Sequence, residues 1–203
     1  MAMTRQFDED AVLEKVLEIF WIKGWKGASM ADLAEAANVQ RGSLYHAYGG
    51  KEQLFQLAFD RYATRVLDET RTALDAPSAH AALQQFFESS IASMTAHVPP
   101  RGCLTTRSAI EADDASADTI QDDVRGLLKN LEHTIVEALS RDAIRASLVQ
   151  SPEVTAQMII TFTRGLAVME RINHDPEQLR EMCGHFANLL YSDDSQKLAA
   201  AST

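Results

Sequence analysis

The stretch from Ser29 to Lys51, SMADLAEAANVQRGSLYHAYGGK, constrains the fold of this chain more than any other. Ser29 and Asp32 form an S-x-x-D pattern, which is typical of a capped helix start. Asn38 stands where this helix should end, since asparagine accepts the left-handed conformation that turns a chain. A second short helix is expected from about residue 40 to Tyr48. Two short helices joined by so tight a turn predict a helix-turn-helix.

The polar side of the second helix indicates what the motif binds. Its apolar positions are expected to form the interior together with those of the first helix: Leu33, Ala34, Ala37, Val39, Leu44 and Ala47. The remaining amide, guanidinium, hydroxyl and aromatic groups are those that reach base edges and phosphates in a major groove. An ordinary solvated face is the alternative, but an exposed tyrosine and histidine favour DNA. The predicted DNA contacts are Ser29, Gln40, Arg41, Gly42, Ser43, Tyr45, His46 and Lys51.

The segment from Phe20 to Tyr62 resembles the DNA-binding domain of the TetR/AcrR family of bacterial transcriptional regulators. The resemblance rests on Lys-Gly-Trp at the end of helix 1, Ser-Met-Ala-Asp-Leu-Ala in helix 2, Gly-Ser-Leu-Tyr-His-Ala-Tyr in helix 3 and Gly-Gly-Lys-Glu-Gln-Leu-Phe entering helix 4. It implies a ligand-responsive regulator, most often a repressor, that binds a pseudo-palindromic DNA operator as a homodimer. Lys51, at the start of helix 4, is then expected to contact phosphate.

Charge neither proves nor excludes DNA binding. The formal net charge of −10 has the wrong sign for a generic nucleic-acid binder. Within residues 20–51, however, Lys23, Lys26, Arg41 and Lys51 outnumber the acids Asp32 and Glu35. The chain shows no membrane span and no secretory signal, and Cys103 and Cys183 have neither metal-site nor disulfide-framework spacing. We therefore expect a cytoplasmic protein with no membrane contact.

The whole chain has helical periodicity, which predicts an all-α fold of about nine helices. The expected division is a helix-turn-helix DNA-binding domain over 1–52, an effector-binding and dimerisation domain over 53–192, and a tail over 193–203. Helix 4, over 51–74, should link the domains. Ser151-Pro152-Glu153 and Asp175-Pro176-Glu177 repeat one start signal, a cap followed by proline and an acid. They should open the last two helices, 152–172 and 176–191.

The second domain is expected to bind a small hydrophobic effector and to form the dimer. Its candidate pocket residues are Phe86, Phe87, Met94, Cys103, Arg107, Ile110, Leu128, Leu131 and Phe162. The last two helices are apolar on more than one side, so they need a second partner, for which the same pair from another subunit is the simplest choice. The family resemblance implies the same interface. The candidate dimer residues are Phe162, Leu166, Met182, Phe186, Leu189 and Leu190.

Two alternatives remain open from the sequence. Cys103 lies near a helix start, where the dipole and Arg101 favour a thiolate, and its Gly-Cys-Leu segment resembles one in relatives that sense oxidants or electrophiles. A redox-triggered regulator is therefore an alternative to a ligand-triggered one, although a packed core thiol is also consistent. An all-helical enzyme or a small-molecule-binding protein without DNA binding is the alternative of another class. No motif for catalysis, metal or cofactor supports it, because E-x-x-H, H-E-x-x-H, Walker A and G-x-S-x-G are all absent.

Overall fold

The computed structural model describes residues 8–96, 102–111 and 118–192, apart from the side chain of residue 118. Ten helices lie in this part of the chain. Their bounds are α1 Glu9–Gly27, α2 Met30–Ala36, α3 Arg41–Tyr48, α4 Lys51–Leu74, α5 Ala79–Thr95, α6 Leu104–Glu111, α7 Asp118–Leu139, α8 Asp142–Arg145, α9 Pro152–Asn173 and α10 Pro176–Leu190. The all-α prediction is confirmed. The helix count was one short because α8 is a single turn, which is too brief to show a period.

The predicted tight turn between α2 and α3 is confirmed in its physical details. Ser29 caps α2 with a complete capping box, in which its side chain accepts the N–H of Asp32 and Asp32 accepts the N–H of Ser29. Asn38 has a φ of 52°, the left-handed conformation that redirects the chain. Leu33 and Leu44 are fully buried between the two helices. Three other predicted interior residues, Val39, Ala37 and Ala47, are only half-buried. Fewer residues than expected therefore form the buried interior of this motif.

Contacts between residues divide the chain into two compact units, of which the first comprises the described residues of Met1–Arg65 and Leu104–Gly126. Its core is a chain of aromatic rings contributed by α1 and α4. The Phe20 ring contacts the Phe55 ring edge-on with centroids 5.1 Å apart, and Phe55 stacks on Phe59 at 5.4 Å. Trp21 contacts Tyr62 at 5.3 Å. These large rings hold the helix-turn-helix on the first half of α4.

The second unit comprises the described residues of Val66–Cys103 and Leu127–Thr203. The proline start signals are confirmed, since Ser151 and Asp175 cap α9 and α10 with their side chains and a proline opens each helix. The core lies between α5, α9, α10 and the second half of α7. Its fully buried side chains include Leu83, Phe87, Ile91, Ile135, Ile159, Leu179, Cys183 and Leu190.

The chain passes between the units more than once. Helix α4 has residues in both units, as the proposed link over 51–74 requires, and α7 does so as well. The functional boundary after residue 52 stays a prediction, and the tail over 193–203 lies outside the described residues. None of the helices in the described part of the chain combines the length and hydropathy that a membrane span requires.

Candidate nucleic-acid interface

Helix α3 has one buried side and one exposed side. Leu44 is fully buried and Tyr48 is 6% exposed, so these two side chains fix the rotation of the helix on the first unit. Every predicted contact on α3 then lies on the solvent side, and Tyr45 is 45% exposed. We call this surface the α3 face. It comprises Gln40, Arg41, Gly42, Ser43, Tyr45 and His46.

The chemistry of the α3 face is suited to a polar, anionic partner. The side chain of Gln40, at the N-cap position, makes no capping hydrogen bond, which leaves the amide for an external partner. The Arg41 guanidinium carbon lies 6.0 Å from the centroid of the Tyr45 ring, so the two side chains form one surface. A Cβ added at Gly42 would meet no atom within 4 Å, so the protein leaves open space at this point of the helix.

Ser29, which we predicted to contact DNA, also has a structural role. Its hydroxyl donates to Asp32 Oδ2 at 2.7 Å and accepts the N–H of Asp32 at 3.2 Å. Lys23 pairs with the other oxygen of this carboxylate. The ammonium of Lys23 and the hydrogen bonds of Ser29 together lower the pKa of Asp32 strongly. The hydroxyl proton of Ser29 is thus already donated inside the protein, and its contact with DNA stays a prediction.

The side chain of Lys51 also makes hydrogen bonds within the first unit. Its ammonium donates to the backbone carbonyl of Trp25 at 2.9 Å and to that of Ala28 at 3.1 Å. It also lies 4.3 Å from the centroid of the Trp25 ring. Burial lowers the pKa of Lys51. The predicted phosphate contact is not tested by this geometry, but two of the three ammonium protons already have partners.

Two acidic residues of α1 form ion pairs with arginines of α4, which reduces the effect of the chain's negative net charge. Arg61 forms an ion pair with Asp10, and Arg65 donates to both carboxylate oxygens of Glu14 at 3.2 and 3.3 Å. Pairing with Arg61 lowers the pKa of Asp10. These contacts neutralise part of the acidic charge of α1.

Most of the predicted effector-pocket residues lie in the second unit. Phe86, Phe87, Met94, Cys103 and Leu131 are buried there, and Leu128 and Phe162 are partly buried. A cavity of about 320 Å³ lies between α5 and α10, but it shares only Phe87 with the predicted lining. Its lining residues are His80, Gln84, Phe87, Glu88, Ile91, Arg180, Cys183, Gly184, Ala187 and Asn188.

Arg107 and Ile110, unlike the other predicted pocket residues, belong to α6 in the first unit. Arg107 donates through one nitrogen to the carbonyls of Trp21 and Ile22, at 3.0 Å each, and pairs with Glu111 at 2.8 Å. It therefore fixes α6 to the last turns of α1. Ile110 is 63% exposed, and its place in an effector site stays a prediction. The sequence held no signal for this contact, which joins residues 85 and 86 positions apart.

Cys103 has a cationic neighbour that the sequence did not reveal. The thiol is buried, and Arg164 Nη1 lies 3.5 Å from its sulfur. Arg101, which was expected to assist, lies outside the described residues. Cys183 differs, because burial and the charge of Glu88 raise the pKa of its thiol to about 12. Cys183 is thus an inert core thiol, as expected from its apolar helix.

Some of the predicted dimer residues are exposed and others are buried. Met182 and Leu189 are 49% and 69% exposed, and Phe186 stacks on Phe162 with centroids 3.9 Å apart. Leu166 and Leu190 require a correction, because they are 4% and 1% exposed and lie in the core of the second unit. Helix phase predicts which residues share a side, but it does not say which of two apolar sides faces inward.

Several large apolar residues of α9 are exposed and were missed as interface candidates. Val154, Met158, Met169 and Ile172 are between 36% and 67% exposed, and they recur at helical spacing on one side of α9. With Met182 and Leu189 of α10 and the stacked rings between the helices, they form a surface that we call the α9–α10 apolar face. It comprises Val154, Met158, Phe162, Met169, Ile172, Met182, Phe186 and Leu189.

Comparison with curated proteins finds regulators of similar length. The chain is 27% identical to the HTH-type transcriptional repressor ComR of Escherichia coli (strain K12) over 182 residues, which cover 88% of this chain and 86% of ComR. It is 24% identical over 176 residues to the HTH-type transcriptional repressor DhaR of Mycobacterium sp. (strain GP1), covering 83% of this chain and 84% of DhaR. The similarity therefore extends well beyond the helix-turn-helix.

A solved structure of a DNA complex is also similar. It is a cysteine mutant of the TetR family transcriptional regulator CifR bound to a 26-bp double-strand operator. The TM-score is 0.80 and the identity is 26%, and the match covers 93% of this chain and 100% of that chain.

Two family models match separate parts of the sequence. The model for bacterial regulatory proteins of the tetR family matches residues 12–58, which include the α3 face. The model for the tetracyclin repressor-like C-terminal domain matches residues 79–186, more than half of the chain. The prediction of a regulator rather than an enzyme is thereby confirmed. The chain belongs to the tetR family and is a ligand-responsive, DNA-binding transcriptional regulator.

Proposed function

We propose that this protein is a cytoplasmic repressor that binds a pseudo-palindromic operator through the α3 face, as a homodimer, and releases it when the second unit binds a small molecule. The observation that carries the proposal is the sorting of side chains on α3. Leu44 and Tyr48 are buried, while the neighbouring side chains with hydrogen-bonding and stacking groups are all exposed.

Each residue of the α3 face has a role that follows from its chemistry. The guanidinium of Arg41 donates to guanine edges or phosphates, and the amide of Gln40 suits an adenine edge. Ser43 contributes a hydroxyl in the first turn, and Gly42 lets the helix backbone approach the groove. Tyr45 and His46 contact phosphate or thymine methyl groups further along the helix. Base contacts of this kind give sequence preference, and the remaining phosphate contacts give affinity.

The homodimer is supported by the α9–α10 apolar face. Large exposed apolar patches mark interaction sites, and two helices with one shared apolar side form a four-helix interface when they pair about a two-fold axis. The symmetry of such a dimer matches that of a pseudo-palindromic operator, in which each α3 reads one half-site. A single α3 of eight residues offers too few contacts for tight specific binding.

Induction requires an effector that binds one state of the protein more tightly than the other. The buried, Phe- and Met-rich residues of the second unit favour a hydrophobic or aromatic effector. Helices α4 and α7 each continue from the second unit into the first, so a displacement of either helix in the second unit can reach the helix-turn-helix. A coupling free energy of about 1–3 kcal/mol would be ordinary for such a system.

A second candidate trigger is oxidation or alkylation at Cys103, because Arg164 lies beside its sulfur. An arginine beside a cysteine is typical of reactive thiols. We expect an oxidant to release DNA from the wild type and not from Cys103→Ser if the thiol is the trigger. A compound that releases DNA equally from both proteins would instead support the reversible effector.

The proposal is tested by selecting duplexes from a random DNA pool with the purified wild-type protein. We expect a selected sequence with two inverted half-sites, bound at a stoichiometry of two chains or a multiple of two. Recovery of unrelated sequences, or of sequences without internal symmetry, would contradict the proposal.

A further inference from the structure

We infer that Lys51 is a positioning residue for DNA binding, which holds the start of α2 against the start of α4, rather than a phosphate contact. The inference rests on the proposed function, because it concerns how the α3 face is placed. It begins with the ammonium group, which donates to two carbonyls and lies over the Trp25 ring.

The backbone at the end of α1 explains why a cation is needed there. Gly24 has a φ of 72° and a ψ of 177°, so the regular helix is interrupted before the segment 25–28. Carbonyl groups near the end of a helix have no continuing helical donors and must be satisfied by other groups. Lys51 supplies donors to two of these carbonyls, and a cation also suits the negative end of the α1 dipole. The Trp25 ring adds a cation–π contact at 4.3 Å.

The carbonyls that Lys51 binds lie just before α2, so the contact affects where α3 is placed. Ala28, whose carbonyl accepts from Lys51, is 3% exposed and directly precedes Ser29, the N-cap of α2. Lys51 is the first residue of α4. One side chain therefore fixes the entry of α2 to the entry of α4, and the chain between these two points is α2, the turn at Asn38, and α3.

Binding to DNA phosphate would act against this arrangement. To direct more than its third N–H at a phosphate, Lys51 would have to release the carbonyl of Trp25 or of Ala28, and half-buried carbonyls without donors are unfavourable. The contacts that Lys51 makes in the free protein thus oppose its use as an electrostatic anchor. What Lys51 contributes is a preformed geometry, which reduces the reorganisation that binding requires.

The test compares Lys51→Met, which keeps the apolar stem and removes all donors, with Lys51→Gln, which keeps N–H donors without the charge. Arg41→Met is the matched control, since it removes an exposed cation from the α3 face. For each protein we would measure the thermal midpoint without DNA, the affinity for a duplex selected by the wild type, and the salt dependence of binding to a random 26-bp duplex.

We expect Lys51→Met to lower the thermal midpoint and to weaken binding to the selected duplex by about tenfold or more, as expected when preorganisation is removed. In both thermal midpoint and affinity, Lys51→Gln should lie between Lys51→Met and the wild type. Neither Lys51 variant should change the slope of log affinity against log salt concentration. Arg41→Met should leave the thermal midpoint unchanged. If Lys51→Met does not fold, the salt slope and affinity of Lys51→Gln decide the question.

Two results would overturn the inference. If Lys51 bound phosphate, its replacement would flatten the slope of log affinity against log salt by about 0.9 per subunit, and so by about twice that for a dimer. A lowered thermal midpoint with unchanged affinity for the selected duplex would make Lys51 merely structural. A wild type that selects no sequence would instead refute the proposed function, and the thermal measurement would still report the contacts of Lys51.

Discussion

Helices α3 and α10 both bury one side and expose another, yet what they expose differs in kind. Beside the buried Leu44, α3 exposes guanidinium, hydroxyl, phenol and imidazole groups. Beside the buried Cys183 and Leu190, α10 exposes Met182 and Leu189. Water solvates the first set at little cost and the second set poorly. Exposure alone does not identify a binding surface, whereas the chemistry of the exposed atoms indicates which partner covers it.

The largest expected effect comes from removing the two interacting side chains of the α3 face. Arg41→Ala combined with Tyr45→Ala should weaken binding to the selected duplex by about 30-fold or more, because each specific contact contributes about 1–3 kcal/mol. Both side chains are exposed, so the free energy of unfolding should change by less than about 0.5 kcal/mol. Fluorescence anisotropy and thermal unfolding measure the two quantities. Wild-type affinity in the double variant would show that α3 is not the DNA-binding helix.

A charge on the α9–α10 apolar face should produce the next largest effect. Leu189→Asp should give a folded monomer, since this side chain is 69% exposed in the single chain. A monomer engages only one half-site, so operator binding should weaken by about 100-fold or more. Sedimentation velocity at micromolar concentration measures the oligomeric state. A dimeric Leu189→Asp protein with wild-type affinity would place the interface elsewhere.

The neighbouring residue provides the matched control for the same helix. Leu190→Ala removes a side chain that is 1% exposed, so it should lower the free energy of unfolding by about 2–5 kcal/mol. Below its unfolding temperature this variant should remain a dimer. If Leu190→Ala dissociated the dimer and Leu189→Asp did not, the side of α10 that we assign to the partner would be wrong.

These neighbouring leucines also show how far the sequence could be interpreted. Helix starts and ends were predicted closely because caps, prolines and Asn38 act locally, through hydrogen bonds within a few residues. The rotation of α3 was predicted because only one of its sides is apolar. For α10, two sides are apolar, and only the packing of the second unit determines that Leu190 faces inward while Leu189 faces solvent.

Contacts between distant parts of the chain could not be predicted at all. Nothing near Arg107 indicates that it binds carbonyls of α1, and nothing near Lys51 indicates that it binds those of Trp25 and Ala28. Both are cations that satisfy carbonyls near the end of another helix. In the sequence such residues look like surface charges, and the same holds for Arg164 beside Cys103.

A smaller effect is expected at Asp123, which lies on α7. Burial, together with the charges of Asp60, Asp122 and Glu52, raises the pKa of Asp123 to about 6. The folded state then binds this proton more tightly than the unfolded state, so the free energy of unfolding decreases as pH rises from about 4 to about 6. Asp123→Asn should remove that decrease.

Above pH 6 the Asp123→Asn variant should be more stable than the wild type by about 1 kcal/mol, a figure reduced for the partial solvent exposure of the group. Below the unfolded-state pKa the two proteins should be equally stable. Urea unfolding at several pH values measures the difference, and operator affinity at neutral pH should be unchanged. A stability difference that persists at pH 3 would mean that ionisation of Asp123 is not its cause.

Two symmetry-related copies of α3 should lie in successive segments of the major groove. This placement is tested by attaching a DNA-cleaving chelate to Ser43→Cys, an exposed position on the α3 face, in a Cys103→Ser background, since the other native thiol, Cys183, is buried and its pKa is raised. On the selected duplex, we expect cleavage at two positions related by the operator dyad and separated by about 10 bp or a multiple of it. Cleavage at one position, or cleavage without relation to the dyad, would contradict the account.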